Sequence, residues 1–249
     1  MEEYFIALVV GTLIGLIGSG GSIVAIPAFM YLANYSTSKA TDAALILVTT
    51  SAAIAVAGYS KKGKILYRDS ALFALSGILG SFAGTVVNNE LSDQILLVIF
   101  AAVLSFAAVA MPLSKKLQKN SAESSSDFKR NIPAILFVGV IFGFLTGLIG
   151  VGGGFIIIPL LVVLLRYQFS FAVGTSVVII LINALSSIAF RILTSNIEIL
   201  SLLPLAAIAG IGAMIGMYLN GKLNHEVIQK VFVVVVILIA VFTVGDALI

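Results

Sequence analysis

The sequence predicts an all-α polytopic membrane protein made of two duplicated halves, each of four apolar segments and each starting with a Gly/Pro-broken or re-entrant helical segment. Three observations carry this: the composition, repeated apolar runs of membrane-crossing length, and an internal match at one constant offset. Of the 249 residues, 60% are hydrophobic and 10% charged, against roughly 25% charged in an ordinary soluble domain. A soluble globule of this size would lack the polar residues to cover its surface. A soluble enzyme, a nucleic-acid-binding module and a disordered chain are therefore excluded, and the apolar runs read as spanning helices in lipid.

The first run extends from Tyr4 to Ala33 and is interrupted by Gly18-Ser19-Gly20-Gly21 and by Pro27. Met1-Glu2-Glu3 lacks the basic start of a cleaved signal, so this run is expected to stay as structure. The second run covers 41–59 and precedes a basic connector with Lys61, Lys62, Lys64 and Arg68; the third covers 70–87 and the fourth 94–113. Between the third and fourth, Asn88, Asn89, Glu90 and Asp93 read as a loop. Residues 114–131 carry Lys115, Lys116, Lys119, Lys129 and Arg130 around a Ser-rich middle, and read as an exposed cytoplasmic linker. The next run spans 132–165, broken at Gly150-Val151-Gly152-Gly153-Gly154 and at Pro159. Runs at 171–190, 199–219 and 227–244 follow, with a kink expected at Pro204. The last run contains the valine-rich stretch Val231 to Val236, and its length favours a helix over a strand. The organisation expected is a first repeat at 1–113, a linker at 114–131 and a second repeat at 132–249.

The repeat lies at a shift of 132 residues. Gly11, Gly15, Gly18, Gly20 and Gly21 fall on Gly143, Gly147, Gly150, Gly152 and Gly153, and Pro27 falls on Pro159. The same shift pairs Tyr35 with Tyr167, Ser38 with Ser170, Gly80 with Gly212, Gly84 with Gly216 and Asn88 with Asn220. Shared apolar composition would not keep every glycine of the motif and the proline in phase. Secondary transporters commonly place a substrate site between two related halves, at helices broken in corresponding positions.

A single helix over the first run would be about 45 Å long, against about 30 Å of hydrocarbon. The run therefore either crosses once, broken and tilted, or turns at its glycines and returns. With single crossings, the 14 Lys and Arg residues divide 10 against 4 between the two sides; with re-entrant first segments they divide 12 against 2, leaving Lys39 and Arg191 on the poor side. The positive-inside rule favours the second arrangement. In it the halves are inverted and the linker is cytoplasmic.

Glycine runs break helices and expose backbone N–H groups, and the half-helix that follows adds unpaired donors and a partial positive charge. Such an end suits an oxyanion without any arginine. The predicted substrate-binding groups are Gly18, Ser19, Gly20, Gly21 and Ser22 in the first half, and Gly150, Val151, Gly152, Gly153 and Gly154 in the second. A P-loop would need Lys-Ser/Thr after the glycines, whereas Gly21 is followed by Ser22-Ile23 and Gly154 by Phe155-Ile156. Gly11-x-x-x-Gly15, Gly80-x-x-x-Gly84 and Gly212-x-x-x-Gly216 read as close helix packing.

Inside the second run, Thr49, Thr50 and Ser51 are polar; inside the sixth, Thr175, Ser176, Asn183, Ser186 and Ser187. Ser51 and Asn183 coincide under the repeat shift and are the candidates to complete a substrate shell; the other hydroxyls are expected to bond to the preceding helical turn. Asp42 is expected to cap the second helix, with proton carriage as its alternative. Arg191, at a segment end, reads as a snorkelling charge or an attractor of anions. There is no Cys, and the one histidine, His225, stands without the partners of a metal site. No Ser-His-Asp set, HExxH motif or intramembrane carboxylate pair is present, so no enzyme, cofactor or metal is expected.

With these residues in view, the chain resembles the sulfite exporter TauE/SafE family of membrane permeases over nearly its whole length. The resemblance rests on the paired glycine signatures ending in Pro27 and Pro159, on Gly174-Thr175-Ser176, and on the duplicated four-segment plan. The first half departs from it, with Thr41-Asp42-Ala43 where its mate has Val173-Gly174-Thr175. The resemblance implies a small sulfur-containing anion, such as sulfite or an organosulfonate, exported across the inner (cytoplasmic) membrane by alternating access. Membrane lipid is the surrounding partner and nucleic acid is not one; proton coupling and a homo-oligomer are compatible with the class. An anion channel, or a carrier of another small anion, is the alternative.

Overall fold

The computed structural model describes residues 2–18, 21–88, 90–91, 131–149, 154–194 and 199–224, with short helical pieces at 95–96, 98–99, 102–103, 227–228, 230–231 and 233–234. The described residues form helices and no strand: α1 (Glu2–Ile17), α2 (Gly21–Tyr31), α3 (Thr37–Lys61), α4 (Tyr67–Asn88), α5 (Ile132–Ile149), α6 (Gly154–Pro159), α7 (Phe169–Thr194) and α8 (Ile199–Lys222). A π-helical turn, Leu160–Leu164, continues α6. Among the described residues, four spans are long and apolar enough to cross a membrane: Thr37–Lys61, Tyr67–Val87, Phe169–Ile192 and Leu200–Lys222. These match the second, third, sixth and seventh apolar runs. Most of the fourth and last runs, and 114–130 of the linker, lie outside the described residues.

Large apolar side chains point outward along these helices, including Leu75, Leu79 and Phe82 of α4, Phe137 of α5 and Leu200 of α8. In water such a belt would be an aggregation surface; in lipid it is the solvated face. Lysines near the helix ends lie over aromatic rings, Lys39 on Tyr35 at 4.2 Å and Lys222 on Tyr218 at 4.4 Å. Long cationic side chains beside aromatic rings are the usual anchors at a membrane–water boundary.

Two seams of small residues hold the first helix of each broken run. A Cβ added at Gly11 or Gly15 of α1 would collide with the backbone of Ala209 or Ala213 in α8; one at Gly212 or Gly216 would collide with α1 near Leu8 and Thr12. The positions climb together, so α1 and α8 are parallel. The α4/α5 seam repeats the pattern: Gly143 meets Gly77, Gly147 meets Ser81, Gly80 meets Val140 and Gly84 meets Phe144. Each contact of one seam becomes a contact of the other on shifting both residues by 132. Backbones come this close only where side chains are absent, and that proximity supplies the dispersion that joins helices in lipid.

Helix directions follow from further contacts. Ser51 donates to the Ala209 carbonyl at 3.3 Å, and Gly58 lies beside Met217, so α3 runs with α8 and α1. Asp42 meets Arg191 at one end of α3, while Lys64, just past the other end, lies beside Gly174, so α7 runs against α3. α4 starts beside the start of α7, packs along it, and is parallel to α5. Thus α1, α3 and α8 point one way, and α4, α5 and α7 the other.

Beyond α2, the Tyr35 hydroxyl comes back beside Glu3 in the first turn of α1. The turn needs left-handed backbone at Asn34, φ 54°, and the matched Arg166 after α6 has φ 55°. Tyr35 N–H then donates to Phe29 O, and Tyr167 N–H to Leu161 O, each at 3.0 Å. As a result Lys62, Lys64 and Arg166 share one end of the bundle with Lys222, whose neighbour Gly221 faces Lys62; Lys39 and Arg191 share the other.

Candidate functional site

The break in the first run is built to end one helix and start another. Gly18 adopts φ +90°, a conformation that side-chained residues rarely adopt, and its N–H closes on Ile14 O at 2.8 Å. The freed carbonyls at the end of α1 are taken up by other helices: Tyr59 donates its hydroxyl to Gly15 O at 3.1 Å, and Asn220 donates Nδ2 to Leu16 O at 2.7 Å. The negative end of α1 is therefore satisfied by protein. α2 opens at Gly21 and Ser22, with the donor end of its backbone facing the break. In the second half, α5 ends at Ile149 and α6 opens at the buried Gly154. α2 packs against α6, which brings the two broken runs together.

Gly18 also lies against the predicted Gly174-Thr175-Ser176 motif, with Ser176 Oγ 2.9 Å from where a Cβ would stand. Thr175 and Ser176 are buried; Thr175 Oγ1 accepts from Leu66 N–H at 3.3 Å, and Ser176 donates to Val173 O at 2.8 Å. Ser19, Gly20, Gly150, Val151, Gly152 and Gly153 lie outside the described residues. Asn183 is half-buried in the middle of α7. Ser51 is fully buried and its hydroxyl is engaged by α8. Thr49, Thr50 and Ser186 donate to the carbonyls four residues back, as expected of helical hydroxyls.

Asp42 does not cap a helix. α3 starts at Thr37, with Ser36 as its cap accepting from Lys39 N–H, so Asp42 lies beyond the first free N–H groups. It accepts instead from Arg191 Nε at 2.6 Å, while Arg191 Nη2 donates to Ser38 Oγ at 3.1 Å. The two residues predicted separately are thus one ion pair joining α3 to α7. Pro204 lies inside α8, which continues through it to Lys222.

The sequence reading passed over Asp69 and Tyr167 as a pair. Asp69 is 2% exposed and accepts from the Tyr167 hydroxyl at 2.7 Å. Asp69 stands one residue before the third apolar run and is not among the candidates named from the sequence. The repeated tyrosine position was the available signal. Asn220, likewise a repeat position, was not given its role at the end of α1. Among the described residues no group of His, Cys, Asp or Glu is placed to hold a metal ion.

The family model described as Sulfite exporter TauE/SafE matches residues 4–243. A probable membrane transporter protein of Xylella fastidiosa is 26% identical over 94% of this chain and 91% of its own length. The probable membrane transporter protein YunE of Bacillus subtilis is 24% identical over 94% and 93%. A probable membrane transporter protein of Methanocaldococcus jannaschii, MJ0441, is 28% identical over 90% and 87%. No solved structure matches. A multi-pass helical body, paired glycine breaks and a full-length family match agree: this chain belongs to the sulfite exporter TauE/SafE family of membrane transporters.

Proposed function

We propose that this protein is a secondary transporter that exports a small sulfur-containing anion, sulfite or an organosulfonate, across the cytoplasmic membrane by alternating access. One observation carries the reading: a glycine-interrupted run from each half of the chain, with α2 and α6 packed together. Opposed helix directions at the 132-residue offset support two inverted repeats, 1–113 and 132–249, joined by a cytoplasmic linker at 114–131. The anion is held by backbone N–H groups around Ser19 to Ser22 and Val151 to Phe155, which need no basic side chain inside the membrane. Asn183 completes the shell, and Ser51 joins it when its bond to α8 opens. The Asp42–Arg191 pair closes the end of the pathway opposite Lys62 and Lys64.

Flux of sulfite, sulfoacetate, thiosulfate and sulfate from proteoliposomes of the purified chain tests this. Saturable, sulfite- or sulfonate-selective flux is expected. Conductance at rates beyond a cycling carrier would replace the carrier with a channel, and no flux of any of the four would overturn the reading. Asn183→Leu, folded by circular dichroism, should weaken sulfite binding about tenfold, the loss of one hydrogen bond of about 1.4 kcal/mol. Unchanged affinity would remove Asn183 from the shell.

A further inference from the structure

We propose that Asp69, with Tyr167 as its hydrogen-bond partner, is the protonation site through which a pH gradient drives the substrate cycle. The inference rests on the transport reading above and names its coupling residue. Asp69 lies in the first turn of α4, at the edge of the Tyr67–Val87 span, with 2% of its surface exposed. A carboxylate withdrawn from water into a membrane-embedded body is costly, and it persists where a partner holds it and a function uses it.

The partner is tied to the broken run. Tyr167 is 1% exposed, follows the left-handed Arg166, and holds Leu161 O with its own N–H while its hydroxyl donates to Asp69 Oδ2. On the other side, Ser70 Oγ lies 3.0 Å from Leu66 O and 3.4 Å from Thr175 O, and Leu66 N–H donates to Thr175 Oγ1 at 3.3 Å. The next residue, Ser176, lies against Gly18 of the first break. Asp69 is therefore one hydrogen bond from the second broken run, and linked through Ser70 and α7 to the first.

Charged, the Asp69 carboxylate is an acceptor only, as it is toward the Tyr167 hydroxyl. Protonated, it can also donate, and the tyrosine oxygen can accept. The pair thus has two arrangements, and a proton selects between them. The proton comes from the aqueous phase admitted by the open state, and it is released to the other phase after the site switches. Among the described residues of the adjoining connectors and of the start of α4, the other titratable groups are Lys64, half-buried, and the exposed Tyr67, Arg68 and Arg166. α5, α6 and the first five turns of α7 contain none. The repeat places Tyr35 opposite Tyr167, but the position matching Asp69 is Ser201. The carboxylate belongs to one half, so one proton moves per cycle through this site.

Two measurements on the full-length chain test the proposal. In the first, infrared difference spectra of the reconstituted protein are recorded across pH without substrate. A protonated-carboxyl band is expected on acidification; one component of it should be missing in Asp69→Asn and displaced in frequency in Tyr167→Phe, where the carboxyl loses its hydroxyl partner. In the second, sulfite flux is compared with and without an imposed pH gradient. The ratio should exceed one in the unaltered protein, fall to one in Asp69→Asn, and stay above one in Tyr167→Phe, which keeps the carboxyl group. A gradient response retained in folded Asp69→Asn, or the same carboxyl signal in that variant, overturns the assignment. Absence of sulfite flux in the unaltered protein refutes the transport reading instead, and the spectra still decide whether Asp69 takes up a proton.

Discussion

Arg191 Nε donates to Asp42 Oδ1 at 2.6 Å across 149 positions of sequence, fastening the C-terminal part of α7 to the N-terminal part of α3. The bond is charge-assisted, and both side chains are mostly withdrawn from solvent, at 24% and 13% exposure. Arg191→Leu and Asp42→Asn should each cost about 1–3 kcal/mol. Because the two residues share one interaction, the double variant should lose less than the sum of the singles. Thermal unfolding of the detergent-solubilised chain, followed by circular dichroism, checks this; strict additivity would mean that the pair is not energetically joined.

The glycine seams make a sharper prediction about stability. Gly143→Ala sets a methyl group into the Gly77 carbonyl, and Gly11→Ala sets one into that of Ala209. Each should cost about 1–3 kcal/mol, because both obstacles are backbone. Gly221→Ala meets only the flexible end of Lys62 at 3.7 Å and should be neutral or stabilising by up to about 1 kcal/mol. Equal unfolding temperatures for all three variants would reject the seams as close-packed contacts.

Tyr35, in the connector after α2, has its hydroxyl pushed up from 10.0 to about 12, first by burial and then by the hydrogen bond to and charge of Glu3. The folded state thus holds this proton more tightly than the unfolded chain. The stability linked to it is complete below about pH 10 and is lost as pH rises toward 12. Tyr35→Phe should show a smaller fall in unfolding temperature than the unaltered protein between those limits. Parallel curves would disconnect Tyr35 from the alkaline transition.

Because the chain has no cysteine, single introduced cysteines report sidedness without background. Thr37→Cys and Lys61→Cys stand at opposite ends of α3 and both positions are exposed. In intact cells a membrane-impermeant maleimide should label the Thr37→Cys variant and spare Lys61→Cys until the membrane is opened. The reverse pattern would invert the orientation, and labelling of both from outside would deny that α3 crosses.

Much of the helical plan was legible because lipid imposes a simple rule: a crossing segment must be long, apolar and helical. The runs at 41–59 and 171–190 lie within α3 and α7, and the first run breaks at Gly18, where left-handed backbone ends α1. Which helix faces which was not legible. Gly11-x-x-x-Gly15 announces close packing but carries no address, and its partner, α8, begins almost 190 residues later. Asp42 was misread for a local reason: the helix starts four residues before the apolar run, on the polar Thr37-Ser38-Lys39 turn capped by Ser36. Its partnership with Arg191 depends on the antiparallel course of α3 and α7, which no local pattern encodes.

The parallel seams also dictate an order of assembly. α1 leaves the ribosome well before α8, which carries the surface that receives its glycines, Ala209 and Ala213. The earliest hairpin must therefore wait, incompletely docked, while most of the polypeptide is inserted around it. α4 likewise waits for α5. Severing the chain within 114–131 and co-producing the two fragments should still yield a complete particle, since each fragment brings the docking face the other lacks, whereas either fragment made alone should be left open to membrane proteases.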